Sequence, residues 1–308
     1  MEFSGVVAVL PAWRQTLPAA RALAALRPAF EAGLRAVIVD NGSGAAAVAD
    51  LRSALRTQAI DDRVTVIELA ENAGFCGGVN VAVARALESL PVYIWVINSD
   101  TSATVGDLRE LLAVAAGTGA GIVSAPEGGP GFAGQGRWPR PFYLRPREFM
   151  LRAPPGARWC EIGRCACWCS LFDTALVRRL IERDGHFLDE SLFLDWDEWD
   201  VSLRAVSLGY RVVAALACEA SHDSAAAFGP SPLAPTRQYY RARNALIVSR
   251  RHMPAWHFWV ALPLHFARDA SFLLRLRLSG RRPAARAYLE GAFDAFRGRR
   301  GRWRKHPA

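Results

Sequence analysis

The sequence predicts an α/β fold built on a mostly parallel, twisted sheet flanked by helices. Three observations predict it. Short apolar runs alternate with segments of helical period through the first 125 residues, the runs are nearly continuous in apolar character, and they end abruptly in polar or glycine-rich loops. Taken in order, GVVAVL is a strand that stops at Pro11, TLPAARALAALRPAFEAG has helical period, and LRAVIVD is a second strand ending at Asp40. NGSG turns the chain, AAAVADLRSALRTQA is helical, and VTVIEL is a third strand. GGVNVAVARALESL is a helix that opens on glycines, and YIWVI is a fourth strand. Successive β-α-β units lay such strands parallel. A Gly- and Pro-rich tract over 124–158, with Trp138, Phe142 and Tyr143 scattered through it, reads as an irregular loop that lines or covers a site.

Ligands of open α/β sheets bind outside the carboxyl ends of the strands, and three loops fall at that edge here: DNGS, ENAGFCGGVN and NSD. Asp40 and Asn41 can hydrogen-bond a base or ribose. Gly74, Gly77 and Gly78 let backbone approach a phosphate at a helix start. Asn98 and Asp100 place two hard oxygens on one side of an extended chain, suited to Mg²⁺ or Mn²⁺ on a diphosphate. Neither G-x-G-x-x-G nor G-x-x-x-x-G-K-[ST] is present, so a dinucleotide dehydrogenase and a P-loop ATPase are not supported. A second acidic signal lies in FLDESLFLDWDEWDVSLRAVSLGYRV, residues 187–212, which sets Asp195, Asp197, Glu198 and Asp200 beside Trp196 and Trp199. Burying unpaired carboxylates is costly, so such a group faces solvent, pairs with cations or does chemistry. The plain alternative is an acidic helix N-terminus ahead of VSLRAVSL.

With 308 residues, of which 51% are hydrophobic and 22% charged, the chain can bury one large domain plus an appendage. Six cysteines in this length make no disulfide framework, and no charged-then-apolar leader is evident, so a cytosolic-facing protein is expected. In WCEIGRCACWCS the alternation at Cys165, Cys167 and Cys169 predicts three thiols on one strand face as small buried hydrophobes; paired C-x₂-C zinc knuckles are lacking. The net charge of +9 is uneven: from Arg241 onward sixteen Lys or Arg face three acidic residues, whereas the first 240 residues are slightly acidic. A basic tail is drawn to polyanions. Nucleic acid would account for the tail but not for the acidic cluster. The segment 254–278 mixes Trp256, Phe258, Trp259, Phe266, Phe272 and Leu273 with Arg268, Arg275 and Arg277, without a run of the ~18 apolar residues that a span requires. It is expected to lie in the headgroup layer of an anionic membrane, the alternative being a helical pair packed on the domain.

The ordered series VIVDNGS, ENAGFCGGVN, VINSDT, FLDE, WDEWD, LRAVSLGY, Ser221-His222 and YYRARN resembles the family 2 glycosyltransferases, inverting and nucleotide-sugar-dependent enzymes of GT-A fold. The resemblance covers roughly residues 5–250, and the tail is similar to that of bacterial members, rhamnosyl- and galactofuranosyltransferases among them, that act on lipid-linked or cell-surface acceptors. It implies a domain over 1–245, with a Rossmann-like nucleotide-sugar half at 1–123 and an acceptor half at 124–245, followed by an amphipathic helical extension at 246–308. It further implies that Asp40 and Asn41 contact the nucleoside of a UDP- or dTDP-sugar, and that Asn72, Gly74, Gly78, Asn80 and Asn98 belong to the donor site. Asp100 and His222 would hold Mn²⁺ or Mg²⁺. Glu198 or Asp197 would be the general base, this chain having Asp-Glu where the pattern has Glu-Asp or Asp-Asp. Trp168, Trp196, Asp195 and Asp200 would bind the acceptor, a glycan or lipid-linked sugar, at the inner face of the cell membrane. A nucleotidyltransferase would need a basic glycine loop after the first strand, which VLPAWRQT lacks. A non-catalytic sugar-binding protein would not need every acidic motif. The spatial expectation is that Asp40, Asp100, Glu198 and His222 share one cleft.

Overall fold

The computed structural model describes residues 2–136, 150–222 and 233–305; Trp138, Phe142 and Tyr143 of the Gly/Pro tract lie outside the described residues. The first half contains β1 (Val6–Ala12), α1 (Thr16–Ala24), α2 (Arg27–Glu31), β2 (Arg35–Asp40), α3 (Ala45–Thr57), β3 (Val64–Glu68), α4 (Gly74–Leu87) and β4 (Tyr93–Ile97), in the expected order. The one long periodic stretch after β1 breaks into two helices because Pro28 sits in the first turn of α2, where it is tolerated but cannot continue α1. The second half adds β5 (Thr101–Ser102), α5 (Val105–Thr118), β6 (Ile122–Ser124), β7 (Phe132–Gln135), β8 (Met150–Arg152), β9 (Trp159–Glu161), β10 (Cys169–Asp173), α6 (Thr174–Asp184), α7 (Asp197–Ser207), β11 (Val212–Ala215) and β12 (Ser221–His222).

Eight strands form one sheet in the order β3-β2-β1-β4-β10-β6-β11-β9. The pairs β3-β2-β1-β4 and β6-β11 are parallel, while β10 runs antiparallel between β4 and β6 and β9 runs antiparallel to β11. Two cores cover the two faces, and the strands alternate between them. Val7 and Val9, Val37 and Val39, and Ile94 and Val96 enter one core with α4, α6 and α7. Ala8 and Leu10, Ala36 and Ile38, and Trp95 and Ile97 enter the other with α1, α3 and α5. Burial on both sides explains why these strands read as continuous apolar runs. The thiols follow the same geometry rather than the expected one: only Cys169 lies in β10 and packs on the second core, while Cys165 and Cys167 precede the strand and join the first. Alternation along the chain was right in period but the strand starts too late for it to apply.

Three helices end the chain: α8 (Pro235–His252), α9 (Ala255–Leu278) and α10 (Arg282–Phe296). The expected boundary at 245/246 falls inside α8. That helix is held to the far C-terminus by Tyr239, whose hydroxyl donates to Asp294 at 2.9 Å and whose ring stacks on Trp303 at 4.7 Å, and by the Trp303 amide, which donates to Tyr240 Oη at 2.9 Å. On α9, His257, Phe258, Ala261, His265, Asp269 and Leu276 are buried, while Trp256, Trp259, Val260, Leu264, Leu274 and Leu278 are exposed. Among the described residues no helix is long and apolar enough to cross a membrane.

Candidate active site

The C-terminal ends of β2 and β4 deliver the first residues of the site. Asp40, buried, accepts from the Ser43 amide at 3.0 Å through Oδ2, while its Oδ1 is buried without a hydrogen bond. Asn41 accepts from the Ala73 amide at 2.9 Å and donates to Gly74 O at 2.9 Å, and Asn72 accepts from the Gly74 amide at 2.8 Å. The Cys76 amide donates to Phe193 O at 3.4 Å. The glycines Gly74, Gly77 and Gly78 are expected to let backbone approach a phosphate here; the amides of Ala73, Gly74 and Cys76 bond instead to Asn41, Asn72 and Phe193 O. Gly74 is required by its φ of +79° and by Phe193 O, which a Cβ would meet at 2.4 Å. Gly78 serves packing: a Cβ there would stand 3.0 Å from Pro11 Cβ and 3.2 Å from Asn41 Nδ2. Asn80 is turned to the 188 loop, accepting from the Leu188 amide at 2.9 Å and donating to Leu188 O at 2.8 Å and to Glu190 at 2.9 Å.

A two-residue antiparallel ladder, β12 on β5, pairs His222 with Thr101 and so carries the histidine to the end of β4. There Nε2 of His222 lies 3.0 Å from Asp100 Oδ1 and 3.1 Å from Asn98 Nδ2. Trp168 stacks on the imidazole with ring centroids 5.3 Å apart and planes 5° from parallel. Its carbonyl accepts from the Asn98 amide at 3.0 Å and from Thr101 Oγ1 at 2.9 Å. The sequence before β12 is fixed in turn by Asp107, which completes a capping box with Thr104 on α5 and accepts from the Glu219 amide at 2.6 Å.

The acidic loop is backbone-strained. Phe193, Asp195 and Trp196 all have positive φ, at 66°, 69° and 72°, a conformation costing roughly 1 kcal/mol or more at each non-glycine residue. What over-determines it comes from YYRARN on α8. Asn244 Nδ2 donates to the carbonyls of Leu192, Leu194 and Asp195 at 3.0, 2.8 and 2.8 Å. Arg243, fully buried, donates to Leu192 O at 2.8 Å, to Ser191 O at 3.3 Å and to Gly301 O at 2.5 Å, and lies over the rings of Tyr239 and Tyr240. The chain then enters α7 with Asp197 and Glu198 in its first turn.

These two carboxylates live in different surroundings. Burial, followed by the negative charges of Glu198 and Asp195, pushes the Asp197 carboxyl well above the usual range, and its Oδ2 has no hydrogen bond. Burial also raises Glu198, but the Arg164 guanidinium opposes it from 3.3 Å. Arg164 is itself paired with Glu127 at 2.5 Å, and Trp168 Nε1 donates to Glu127 at 3.4 Å. Burial raises Asp195 too, against the attraction of Arg237 and Arg241. Asp200 is the opposite case. Although burial alone would raise it, the hydrogen bond from His252 and the cations Arg204 and Arg251, at 2.9, 2.8 and 2.7 Å, hold it well below the carboxylate range.

A cleft of about 920 Å³ contains Arg164, Trp168, Asp195, Asp197, Glu198, His222 and Arg237 in its lining. A smaller cavity of about 90 Å³ beside it is lined by Asn41, Asn72, Gly74 and Asp100, with Trp13, Gln15 and Phe193. Phe75, Asn98 and Leu194 border both. The structure thus brings Asp100, His222, Asp197 and Glu198 to one composite recess. Asp40, Gly78, Asn80, Trp196 and Asp200 line neither part. Trp196, expected to meet the acceptor, is packed in the core, and Asp200, expected likewise, is consumed by its ion pairs. Sequence reasoning missed Arg164 and Glu127, and it named YYRARN as a motif without a role for Arg243 or Asn244. The signal for Arg164 was one cation in an otherwise apolar, cysteine-rich run; for Arg243 it was its place one helical turn beyond Tyr239 and Tyr240.

A divalent cation at the recess would find one carboxylate, one imidazole nitrogen and the Asn98 Oδ1, a buried oxygen that lacks a hydrogen bond. Among the described residues no cluster of three or more His, Cys, Asp or Glu forms a complete cage. This partial set fits an ion that shares its coordination with substrate oxygens.

An α/β sheet of this order, with acidic residues gathered beyond β4 and at the start of α7, defines a glycosyltransferase of GT-A fold. Residues 8–180 match the sequence model of the glycosyl transferase family 2, more than half of the chain, and the protein belongs to that family. No curated protein matches it. Among solved structures it is similar to TarS 1-349 of S. aureus, at 16% identity over 94% of this chain and 80% of that one, with a TM-score of 0.51. The same protein in complex with UDP gives 15% identity, 95% and 91% coverage and a TM-score of 0.52. The mannosyltransferase PcManGT from Pyrobaculum calidifontis in complex with GDP-Man and Mn²⁺ gives 19% identity, 95% and 80% coverage and a TM-score of 0.55. At such identities the likeness is one of fold.

Proposed function

We propose that the protein transfers a sugar from a UDP- or dTDP-sugar, with inversion, to a hydroxyl of a glycan or lipid-linked acceptor in bacterial cell-surface polysaccharide synthesis. The observation that carries this reading is the composite recess: donor-side groups Asn41, Asn72, Asn98 and Asp100 in the smaller part open onto Asp197 and Glu198 in the larger. The likeness to folds captured with UDP or with GDP-Man and Mn²⁺ supports a nucleoside diphosphate sugar and a divalent cation as first probes. Asp100 and His222 would hold that cation, which supplies Lewis-acid neutralisation of the diphosphate. The chain's own part is to position the donor and to take a proton. A base has to be ionised beforehand, and Glu198, with Arg164 beside it, is the better placed; Asp197, whose burial favours the neutral acid, is the poorer base. Trp168, alongside the cleft, offers a ring face to a sugar. Rhamnose, galactofuranose and other hexoses remain equal candidates as donor sugar. The exposed aromatics and arginines of α9 would hold the protein on the inner face of an anionic membrane, with 1–245 as the catalytic unit and the rest as its anchor.

A panel of nucleotide sugars assayed for diphosphate release and for transfer tests the reading; no turnover or binding of any nucleotide sugar, with metal present, would defeat it. His222→Asn should weaken the Mn²⁺ requirement curve by at least the roughly 10- to 100-fold that loss of a mere supporting residue costs. An unchanged Mn²⁺ titration would remove His222 from the metal site.

The acid side of the pH profile supplies a sharper check. Glu198 has a raised carboxyl, so the ionised form that acts as base is gained as pH rises through that raised value and lost below it. The acidic limb of kcat/KM is therefore expected above the ordinary glutamate value of 4.5. Arg164→Met removes the cation that opposes the rise and should move the limb up by about one pH unit. A limb that stays in place in this variant would dissociate Glu198 from the base role.

A further inference from the structure

Away from the active site, α8, α9 and α10 enclose a second cavity of about 170 Å³, lined in part by Ile247, Arg250, Arg251, Phe258, Phe296 and Arg300. Its lining mixes guanidinium groups with aromatic and aliphatic carbon. Arg251 is already committed, bonding to Asp189 and, at 2.7 Å, to Asp200. Burial, then the neighbouring Arg251, Arg243 and Arg250, lowers the pKa of Arg300, with Asp189 as the acid opposing them. Three guanidiniums, those of Arg250, Arg251 and Arg300, thus line the cavity beside no carboxylate among its described lining residues, leaving positive charge that an anion would relieve. The apolar wall continues outwards. Phe258 meets Trp259 edge to face at 5.3 Å, and Phe296 meets Phe266 at 6.2 Å. Trp259 and Phe266 are exposed, as are Trp256 and Phe293 on the same two helices, so exposed aromatic rings lie next to the cavity's own.

We infer that this cavity is a binding site for the phosphate headgroup of an anionic membrane lipid, with Arg250 and Arg300 gripping the phosphate and Phe258 and Phe296 receiving the adjoining carbon. The inference deepens the membrane reading given above and rests on it. A free phosphate would use the arginines alone and leave the aromatic wall bare, whereas a phosphodiester with a hydrocarbon body uses both. The site also touches the catalytic machinery: Arg251, in the same wall, is bonded to Asp200, two residues beyond Glu198 on α7. A bound headgroup would thus settle at one end of an ion-pair chain whose other end is the acidic helix.

The test is co-sedimentation of the full chain with vesicles of phosphatidylcholine alone and of phosphatidylcholine with phosphatidylglycerol. Two double variants remove the same charge: Arg250→Gln with Arg300→Gln inside the cavity, and Arg275→Gln with Arg277→Gln on α9 outside it. Long-range attraction is worth several-fold per cation, so the outside pair is expected to lose on the order of 10- to 30-fold in affinity for the anionic vesicles. The cavity pair is expected to lose about tenfold more, with circular dichroism confirming that both fold. Equal losses would overturn the site while leaving membrane association intact. Absence of wild-type binding to either vesicle would overturn the membrane reading and the site with it. A third arm separates the sources of phosphate: monomeric dihexanoyl phosphatidylglycerol should change the tryptophan emission of the wild type but not of the cavity pair. An equal change with inorganic phosphate at the same concentration would reassign the site to a free anion and overturn the lipid.

Discussion

Replacing Glu198 by Gln is expected to lower kcat by roughly 10²- to 10⁴-fold, the usual contribution of a positioned base, with little change in the KM for the donor. The substitution keeps the side chain's length and its contact with Arg164 through an amide oxygen, so the loss isolates proton acceptance. Asp197→Asn is expected to be far milder, within about tenfold, because burial already favours the neutral form of Asp197, which asparagine mimics. The pair of variants assigns the base between two adjacent carboxylates. If Asp197→Asn is the severe lesion and Glu198→Gln the mild one, the roles are reversed. The reason to favour Glu198 is spatial: Arg164 stands 3.3 Å away as a counter-ion, whereas burial and the charges of Glu198 and Asp195 push Asp197 towards its neutral form.

The second large effect is expected at Arg243→Met. The guanidinium is fully buried and donates hydrogen bonds to the carbonyls of Gly301, Leu192 and Ser191 and to Asn244 Oδ1. Methionine fills a similar volume but strands those acceptors, which costs on the order of 3 kcal/mol and lowers Tm by roughly 5–10 °C in calorimetry. Arg243→Lys should not rescue it, because a single ammonium cannot reach carbonyls on two separate segments at once. Asn244→Ala probes the same loop differently. It removes the bonds to Leu192, Leu194 and Asp195 carbonyls while leaving the Arg243 pairings with Gly301 and Leu192, and is expected to reduce kcat more than it raises KM. A variant of either residue with unchanged Tm and kcat would mean that the positive-φ conformation of Phe193, Asp195 and Trp196 is held by something else.

The nucleotide-side half of the fold was legible because β1, β2 and β4 are buried on both faces and therefore carry apolar interiors, β2 between Arg35 and Asp40, with polar residues gathering where that requirement stops. Asp100 was legible for the same reason: a polar triplet directly after YIWVI can only be an edge. What could not be read was lateral order. Nothing in CSLFD says that β10 inserts antiparallel between β4 and β6, since any apolar strand satisfies either neighbour. The occupancy of the glycine loop was equally hidden, because Asn41 and Asn72 have the same chemistry whether they bond a ribose or a backbone amide. Asp200 shows the limit for carboxylates: one partner, Arg204, stands a helical turn on, but Arg251 and His252, which also claim it, lie about fifty residues further along. Trp196 was misplaced for a related reason, since aromatic residues beside acids suit a sugar platform and a core equally well.

The ladder of β12 on β5 contains two residue pairs, Ser221 with Ser102 and His222 with Thr101. Neighbouring side chains on a strand point to opposite faces, so a slip by a single position would swing the imidazole away from Asp100 and present a serine in its place. The group that faces Asp100 at the recess is therefore a matter of registration, decided by a pairing of two residues. An inserted or deleted residue between Ala215 and Ser221 would remove that imidazole from the recess while leaving His222 in the sequence.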